Sequence, residues 1–306
     1  MTFNLSEQFA QRAAEQPEHP LILGPGDDTC ITYRSFSKNI RDYSEKLHNV
    51  GIQPGMNIGL HCPNGSAYIA YTYALWACGA CVTPIPVELA DQEKQHLFQY
   101  IALDGVITAK HLTAALEAVA IDRPKSISDQ ACYMPVRIFR EPPQELAALN
   151  PAFIRFTSGT TGTAKGVVLS HETIRDRIMA ANRGLCIGTQ DRILWLLSMA
   201  YHFAVSICAY LSFGATIIFP KNAFGISMLQ AAVRHQATLI YGAPTHYELM
   251  THGTSGQELP PLRLAVVTTS HLRQEVADTF FQRFGIALNE TYGLIELGLP
   301  AVNLEH

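Results

Sequence analysis

The stretch FTSGTTGTAKGVVLSH, residues 156–171, decides how this 306-residue chain is read. AFIRFT before it and GVVLS inside it are apolar and rich in branched or aromatic residues, so both read as strands, and a helix starts only after Ser170. Between them, Thr157, Ser158, Thr160, Thr161 and Thr163 supply rotatable hydroxyls, and Lys165 a positive charge. Gly159 and Gly162 allow backbone N–H groups to approach an anion closely. Such a set suits a polyphosphate, whose oxygens need several donors at once. A Walker loop does not fit. That motif places Gly-Lys-[Ser/Thr] at its end and opens directly into a helix. Here Thr163 and Ala164 separate Gly162 from Lys165, and Gly166 follows.

Outward from this loop, strand and helix signals alternate. Tyr33, Phe36, Ile40, Tyr43 and Leu47 share one helical face, with Thr32 placed as N-cap. Asn57–Cys62 reads as a strand, PNGSAYIAYTYALWACG as a helix ending at Gly79, and ACVTPI as the next strand. GVIT (105–108) is a short strand and HLTAALEAVA a helix. The polar, proline-containing stretch 122–151 reads as a linker or surface excursion. Downstream, ISMLQAAVRHQ, PTHYELMTH and LRQEVADTFFQRFG read as helices, and ATLIYGAP, LRLAVVTT and IALNE as strands. The alternation predicts an α/β protein with largely parallel sheets.

Composition excludes several functions. A formal charge of −4, with 16% charged residues and no basic run, gives no footprint for nucleic acid. Residues 58–87 and 193–219 carry no Lys, Arg, Asp or Glu. Both contain helix breakers or polar residues, and buried strand, loop and helix explain them better than a membrane span. Seven cysteines and no signal peptide at the start of the chain point to a reducing cytoplasm. Cys78 and Cys81 have C-x-x-C spacing but no second pair; they read as small apolar residues where a helix turns into a strand.

The loop resembles the phosphate loop of the acyl-adenylate-forming superfamily, which includes acyl- and aryl-CoA ligases, nonribosomal-peptide adenylation domains and firefly luciferase. Ala164 stands where that family usually has proline. The likeness extends to ALWACGACVTPIP, LSMAYHFAVS and NETYGLIELG. It implies the N-terminal large domain of such an enzyme: two largely parallel sheet subdomains flanked by helices in αβαβα layers, spanning residues 1–303. It further implies activation of a carboxylate by Mg-ATP as acyl-AMP, then transfer to the thiol of CoA or of a carrier-protein phosphopantetheine.

By resemblance, Thr157, Ser158, Gly159, Thr160, Thr161, Gly162 and Lys165 hold the phosphates, Tyr292 stacks on or lies beside the adenine, Gly293 belongs to the same nucleotide-binding set, and Glu296 helps hold the Mg²⁺ ion. Tyr201, His202 and Ser270 fall in the acyl pocket, although His202 is also read as a packed core histidine. His171 starts a helix and has a structural role. Two departures stand out. Ile295 replaces the usual threonine and offers no hydroxyl; Thr269, Ser270 and His271 replace a Gly- and Ala-rich turn. LSMAYHFAVS lacks the aspartate that amino-acid-activating relatives place there, and a buried ammonium without a partner would be costly. This favours a fatty, hydroxy or aryl acid, with a non-catalytic nucleotide- or acyl-binding relative as the alternative.

The family's ribose-binding element, β-barrel subdomain and C-terminal lid with its catalytic lysine would lie beyond His306, and residues 304–306 resemble the start of a tag. The expectation is a chain that folds but turns over poorly alone. Pyrophosphate exchange should show a large deficit beside the longer parent; equal rates would refute it.

Overall fold

The strand–helix alternation resolves into two sheets in a computed structural model that describes residues 2–26, 29–139, 141–157, 165–252 and 256–304. The chain divides into two compact units. The first comprises Met1–Gln11, Phe36–Asp176 and Ser198–Ala204; the second comprises Arg12–Ser35, Arg177–Leu197 and Val205–His306.

The first unit holds a seven-stranded sheet in the order Lys125–Ser126, Ala131–Pro135, Gly105–Ala109, Asn57–His61, Cys81–Pro84, Pro151–Thr157, Lys165–Ser170. The four strands from Gly105–Ala109 to Pro151–Thr157 are mutually parallel, and both edges are antiparallel. Every residue of Asn57–His61, Cys81–Pro84 and Gly105–Ala109 is buried, as parallel strands covered on both faces require. Helix Ser66–Ala77 is buried continuously from Tyr68 to Trp76, which accounts for the uncharged run 58–87. It ends where Gly79 takes a φ of +73° against Pro54; a Cβ there would lie 3.0 Å from the proline's Cβ. Cys78 caps this helix beside Ser44 Oγ and His48 Nδ1, both at 3.3 Å, and burial raises its thiol pKa.

Two expectations change. The 122–151 stretch is not simply a linker, because Ala131–Pro135 pairs residue for residue with Gly105–Ala109 and four of its five residues are buried. HLTAALEAVA forms a 3₁₀ helix, Lys110–Leu116, rather than a longer α-helix. Its end is drawn into the sheet margin, where Ala120 bridges Val136 and Leu116 and Val119 enter the core.

The second unit holds an eight-stranded sheet in the order Gly298–Val302, Asn289–Leu294, Leu264–Val267, Leu239–Gly242, Arg192–Trp195, Thr216–Ile218, Pro20–Leu23, Cys30–Thr32. Its six inner strands are parallel, and the two outer ones are antiparallel. Helices Gly225–Arg234, Pro244–Thr251 and Gln274–Phe284 contribute Met228, Leu229, Tyr247, Met250, Val276 and Phe280 to a core shared with Leu194, Ile240 and Ala265. Among the described residues, no helix is long and apolar enough to cross a membrane.

One ion pair organises the strand starts of this unit. Asp191 is buried and receives Arg263 Nε and Nη2, each at 2.8 Å, on its two carboxylate oxygens. Gly188 N–H and Thr238 Oγ1 also donate to it, at 2.9 and 2.8 Å. Burial alone would raise this carboxyl's pKa, but the bonds from Arg263, Gly188 and Thr238 outweigh burial and lower it. Asp191→Asn leaves the guanidinium without its carboxylate and should cost roughly 3 kcal/mol. Urea unfolding read through Trp195 fluorescence in a Trp76→Phe background checks this, and an unchanged midpoint would contradict it.

Two buried histidines make the first unit acid-sensitive. His61 lies beside Thr108 Oγ1 at 3.0 Å, and His171 Nδ1 accepts from Leu5 N–H at 3.2 Å. Burial lowers both to about 4 from an ordinary 6.5. Their neutral forms therefore stabilise the folded unit fully above pH 6.5, and that contribution is lost as pH falls towards 4. The urea midpoint read through Trp76 in a Trp195→Phe background should fall steadily across this window. A flat midpoint would show that neither ring resists protonation.

Candidate active site

In the first unit the site begins with a hairpin. Pro151–Thr157 and Lys165–Ser170 pair antiparallel from Phe153↔Leu169 to Thr157↔Lys165, so residues 158–164 connect two strand ends held in register. The second strand runs directly into helix His171–Leu185, where Ser170 Oγ accepts Thr173 N–H at 3.0 Å. The loop is thus strand–loop–strand, as the sequence suggests. Ser158, Gly159, Thr160, Thr161 and Gly162 lie outside the described residues, while Thr157 and Lys165 are placed as opposed backbone positions. His171 starts the helix and packs edge-on against Trp76 at 5.4 Å, a structural position.

Tyr201 and His202 belong to the same unit, in the short helix Met199–His202. Its first N–H, on Met199, is capped by Asn64 Oδ1 at 2.8 Å. Phe203 follows, fully buried, stacked on Phe153 at 6.0 Å and 10° and flanked by Tyr68 and Trp76. Phe153 and Arg155 project from one strand face, two residues apart. Arg155 Nη1 donates to Tyr201 O at 2.5 Å, and its guanidinium lies over the Tyr201 ring at 5.0 Å. Burial first, and the charge of Arg155 second, lower the His202 pKa to about 4. At neutral pH His202 is an uncharged imidazole that can donate or accept a hydrogen bond.

Sequence reasoning missed both charges beside this segment. Arg155 is hidden in a strand, where its neighbours suggest only a core position. Glu88 is remote in sequence; its carboxylate accepts Ser198 Oγ at 3.3 Å. Only the folded chain brings either to LSMAYHFAVS.

The second unit carries the remaining predicted residues. Tyr292 and Gly293 lie in strand Asn289–Leu294, with Tyr292 opposite Ala301 of the antiparallel partner. Tyr292 is 60% exposed, so its ring face is available for stacking. Ile295 and Glu296 form the turn before Gly298–Val302, closed by Leu297 N–H to Leu294 O at 3.1 Å. Arg177 Nη1 donates to Ile295 O at 2.6 Å and its Nη2 to Glu296 O. Ser270 is exposed and follows Thr269, which takes a φ of +80°. A threonine there adopts the conformation that a glycine would take without strain. Thr268 N–H donates to Gly242 O at 3.1 Å, and Thr291 Oγ1 to Val267 O at 2.9 Å, joining the strand ends on which this turn stands.

Among the described residues, no cluster of three or more His, Cys, Asp or Glu forms a cage for a metal ion. One exposed carboxylate, Glu296, fits an ion that takes most of its ligands from phosphate and water, as Mg²⁺ does.

A profile of the AMP-binding enzyme family matches residues 9–305. The chain is 27% identical over 318 residues to the sulfoacetate–CoA ligase of Cupriavidus necator, covering 97% of this chain and 60% of that protein's length. In structure it is similar to the N-terminal domain of FACL13 from Mycobacterium tuberculosis, with a TM-score of 0.80 at 20% identity, covering 96% of this chain and 76% of the other. It is also similar to the anthranilate CoA ligase AuaEII solved with anthranoyl-AMP, with a TM-score of 0.81 at 17% identity, over 98% and 61% of the two chains. At these identities the two structures establish the fold. The matched residues include both mainly parallel sheets, the hydroxyl-rich hairpin segment and the Tyr-Gly-Leu-Ile-Glu turn, and the chain belongs to the AMP-binding enzyme family.

Proposed function

We propose that this chain binds Mg-ATP and a non-amino carboxylic acid (fatty, hydroxy or aryl) and serves their joining as acyl-AMP. In that step a carboxylate oxygen attacks the α-phosphorus, the bond to the bridging oxygen breaks, and pyrophosphate leaves. The acyl group then passes to the thiol of CoA or of a phosphopantetheinyl carrier, with AMP released. The observation that carries this reading is the Thr157↔Lys165 register, which closes a serine, threonine and glycine segment into a hairpin with a lysine at its exit. Backbone and hydroxyl donors there would hold the departing phosphates, and Lys165 would offset their charge; one lost donor in such a site costs about 3 kcal/mol. Tyr292 would stack on the adenine, and Glu296 would hold Mg²⁺, which supplies electrostatic stabilisation of the phosphate charge.

Tyr201 and His202 are assigned to the acid. A neutral His202 and the adjacent Arg155 guanidinium suit a carboxylate better than an α-ammonium group. The similar sulfoacetate–CoA ligase is named for an acid without an amino group, which supports the same class. A second reading, binding without turnover, draws on Ile295, whose side chain offers the α-phosphate no donor.

ATP-dependent hydroxamate formation with fatty, hydroxy and aryl acids, beside an amino-acid panel, tests the reading. Lys165→Ala should weaken ATP binding at least about tenfold, consistent with the loss of a charged donor. Hydroxamate from amino acids alone would overturn the substrate class, and wild-type protein that binds no ATP would overturn the whole.

A further inference from the structure

The strand Asn289–Leu294 joins the parallel sheet through Val266↔Asn289 and Val267↔Glu290. From Thr291 onward its register partners are in Gly298–Val302, as a two-stranded ribbon. A ribbon of two strands is marginal in water without further support. Its turn carries Glu296, so the position of that carboxylate depends on what holds the tip.

Arg177, on helix His171–Leu185, reaches that tip. Nη1 donates to Ile295 O at 2.6 Å and Nη2 to Glu296 O, two consecutive carbonyls gripped by one planar fork. The arginine stem has its own seat. Gly298 is buried with a φ of +90°, and a Cβ there would lie 3.2, 3.3 and 3.4 Å from Arg177 Cδ, Cγ and Cβ. The absence of a side chain at Gly298 therefore lets the methylenes lie against the ribbon backbone while the guanidinium closes over the turn.

We infer that Arg177 is a positioning residue for Glu296: it fixes the backbone from which the carboxylate reaches the metal, and so sets the metal-dependent part of nucleotide affinity. The inference rests on the proposed Mg-ATP reading. The guanidinium acts through the turn, with its two bonds spent on main-chain oxygens. Its charge also interacts with the Glu296 carboxylate. Lysine in its place would keep the charge and stem but lose the fork.

The test compares ATP binding by calorimetry in excess MgCl₂ and in EDTA for the wild type, Arg177→Ala, Arg177→Lys and Glu296→Ala. Hydrogen exchange over residues 289–302 is measured on the same proteins. Arg177→Ala should weaken binding about tenfold in Mg²⁺, the scale seen when an outer partner of a metal ligand is lost. Binding in EDTA should change little, and Arg177→Lys should recover part of the loss. Combined with Glu296→Ala, the alanine variant should add nothing further. Faster exchange should be confined to residues 291–298.

Equal losses with and without metal would overturn the inference in favour of direct phosphate contact or general destabilisation, and unchanged Mg-ATP binding would overturn it outright. If the wild type binds no ATP while the alanine variant still loosens the ribbon, the proposed function falls and the control of the turn by Arg177 stands. Unchanged exchange would remove that control as well.

Discussion

The stacking of Phe203 on Phe153 is the contact on which the position of the Tyr201–His202 segment depends. Ser198–Ala204 would otherwise be a short uncharged connection with one four-residue helix, too little structure to hold itself. Burying Phe203 among Phe153, Tyr68, Tyr73 and Trp76 removes a whole aromatic ring from water, worth roughly 2 to 3 kcal/mol in transfer terms. That anchor sets the preceding residues against the same strand face, where Arg155 meets Tyr201 through both its carbonyl and its ring. The position of the Tyr201–His202 pair thus follows from an apolar contact one residue away. Its polarity follows from burial, which keeps His202 neutral, and from the arginine beside it.

The hydroxyl-rich segment and the Glu296 turn, proposed above for phosphate and metal, each connect the strands of an antiparallel pair at the outer edge of a parallel sheet. Lys165–Ser170 ends the seven-stranded sheet and Gly298–Val302 the eight-stranded one. The placement has a physical reason. An inner parallel strand is committed on both sides and must leave through a long crossover. An antiparallel pair at an edge can turn back within a few residues and expose a run of backbone donors or a single carboxylate. The parallel interiors are buried on both faces, and the edges leave turn residues such as Glu296 exposed.

Much of this was legible in the sequence. The β-branched and aromatic composition around residues 156–171 marks the hairpin, and the failed Walker spacing excludes the helix-opening alternative. The periodicity of Tyr33, Phe36, Ile40 and Leu47 marks a helix that is observed at Tyr33–Asn49, with Thr32 Oγ1 accepting Ser35 N–H at 3.3 Å. What was not legible is long-range. Polar composition suggested a linker at 122–151 because edge strands alternate and carry turns, whereas their pairing with Gly105–Ala109 is a tertiary fact. Local sequence also made LSMAYHFAVS uncharged, although Arg155 and Glu88 reach it from strand and loop positions far away in the chain. The grip of Arg177 on Ile295 and Glu296 is equally invisible, since the residues are 118 and 119 positions apart.

The two departures from the family pattern act on different quantities. At Thr269 the backbone keeps a φ of +80° although a β-branched side chain resists it, at a cost on the order of 1 to 3 kcal/mol. A residue held against its preference is held by its surroundings. Here Thr268 is bonded to Gly242 and Thr291 to Val267, so the strand ends dictate the path of the turn and the residue type does not. The turn therefore holds a positive φ without a glycine. At Ile295 the position is reversed: the backbone is secured by Arg177, the β-branch is kept, and what disappears is one hydroxyl. One departure places a β-branched residue at a positive φ, and the other puts a side chain without a donor on a turn secured by Arg177. Under the proposed reading, the Ile295 departure changes the donors offered to the phosphate, while the turn at Thr269 is held by the strand ends beside it.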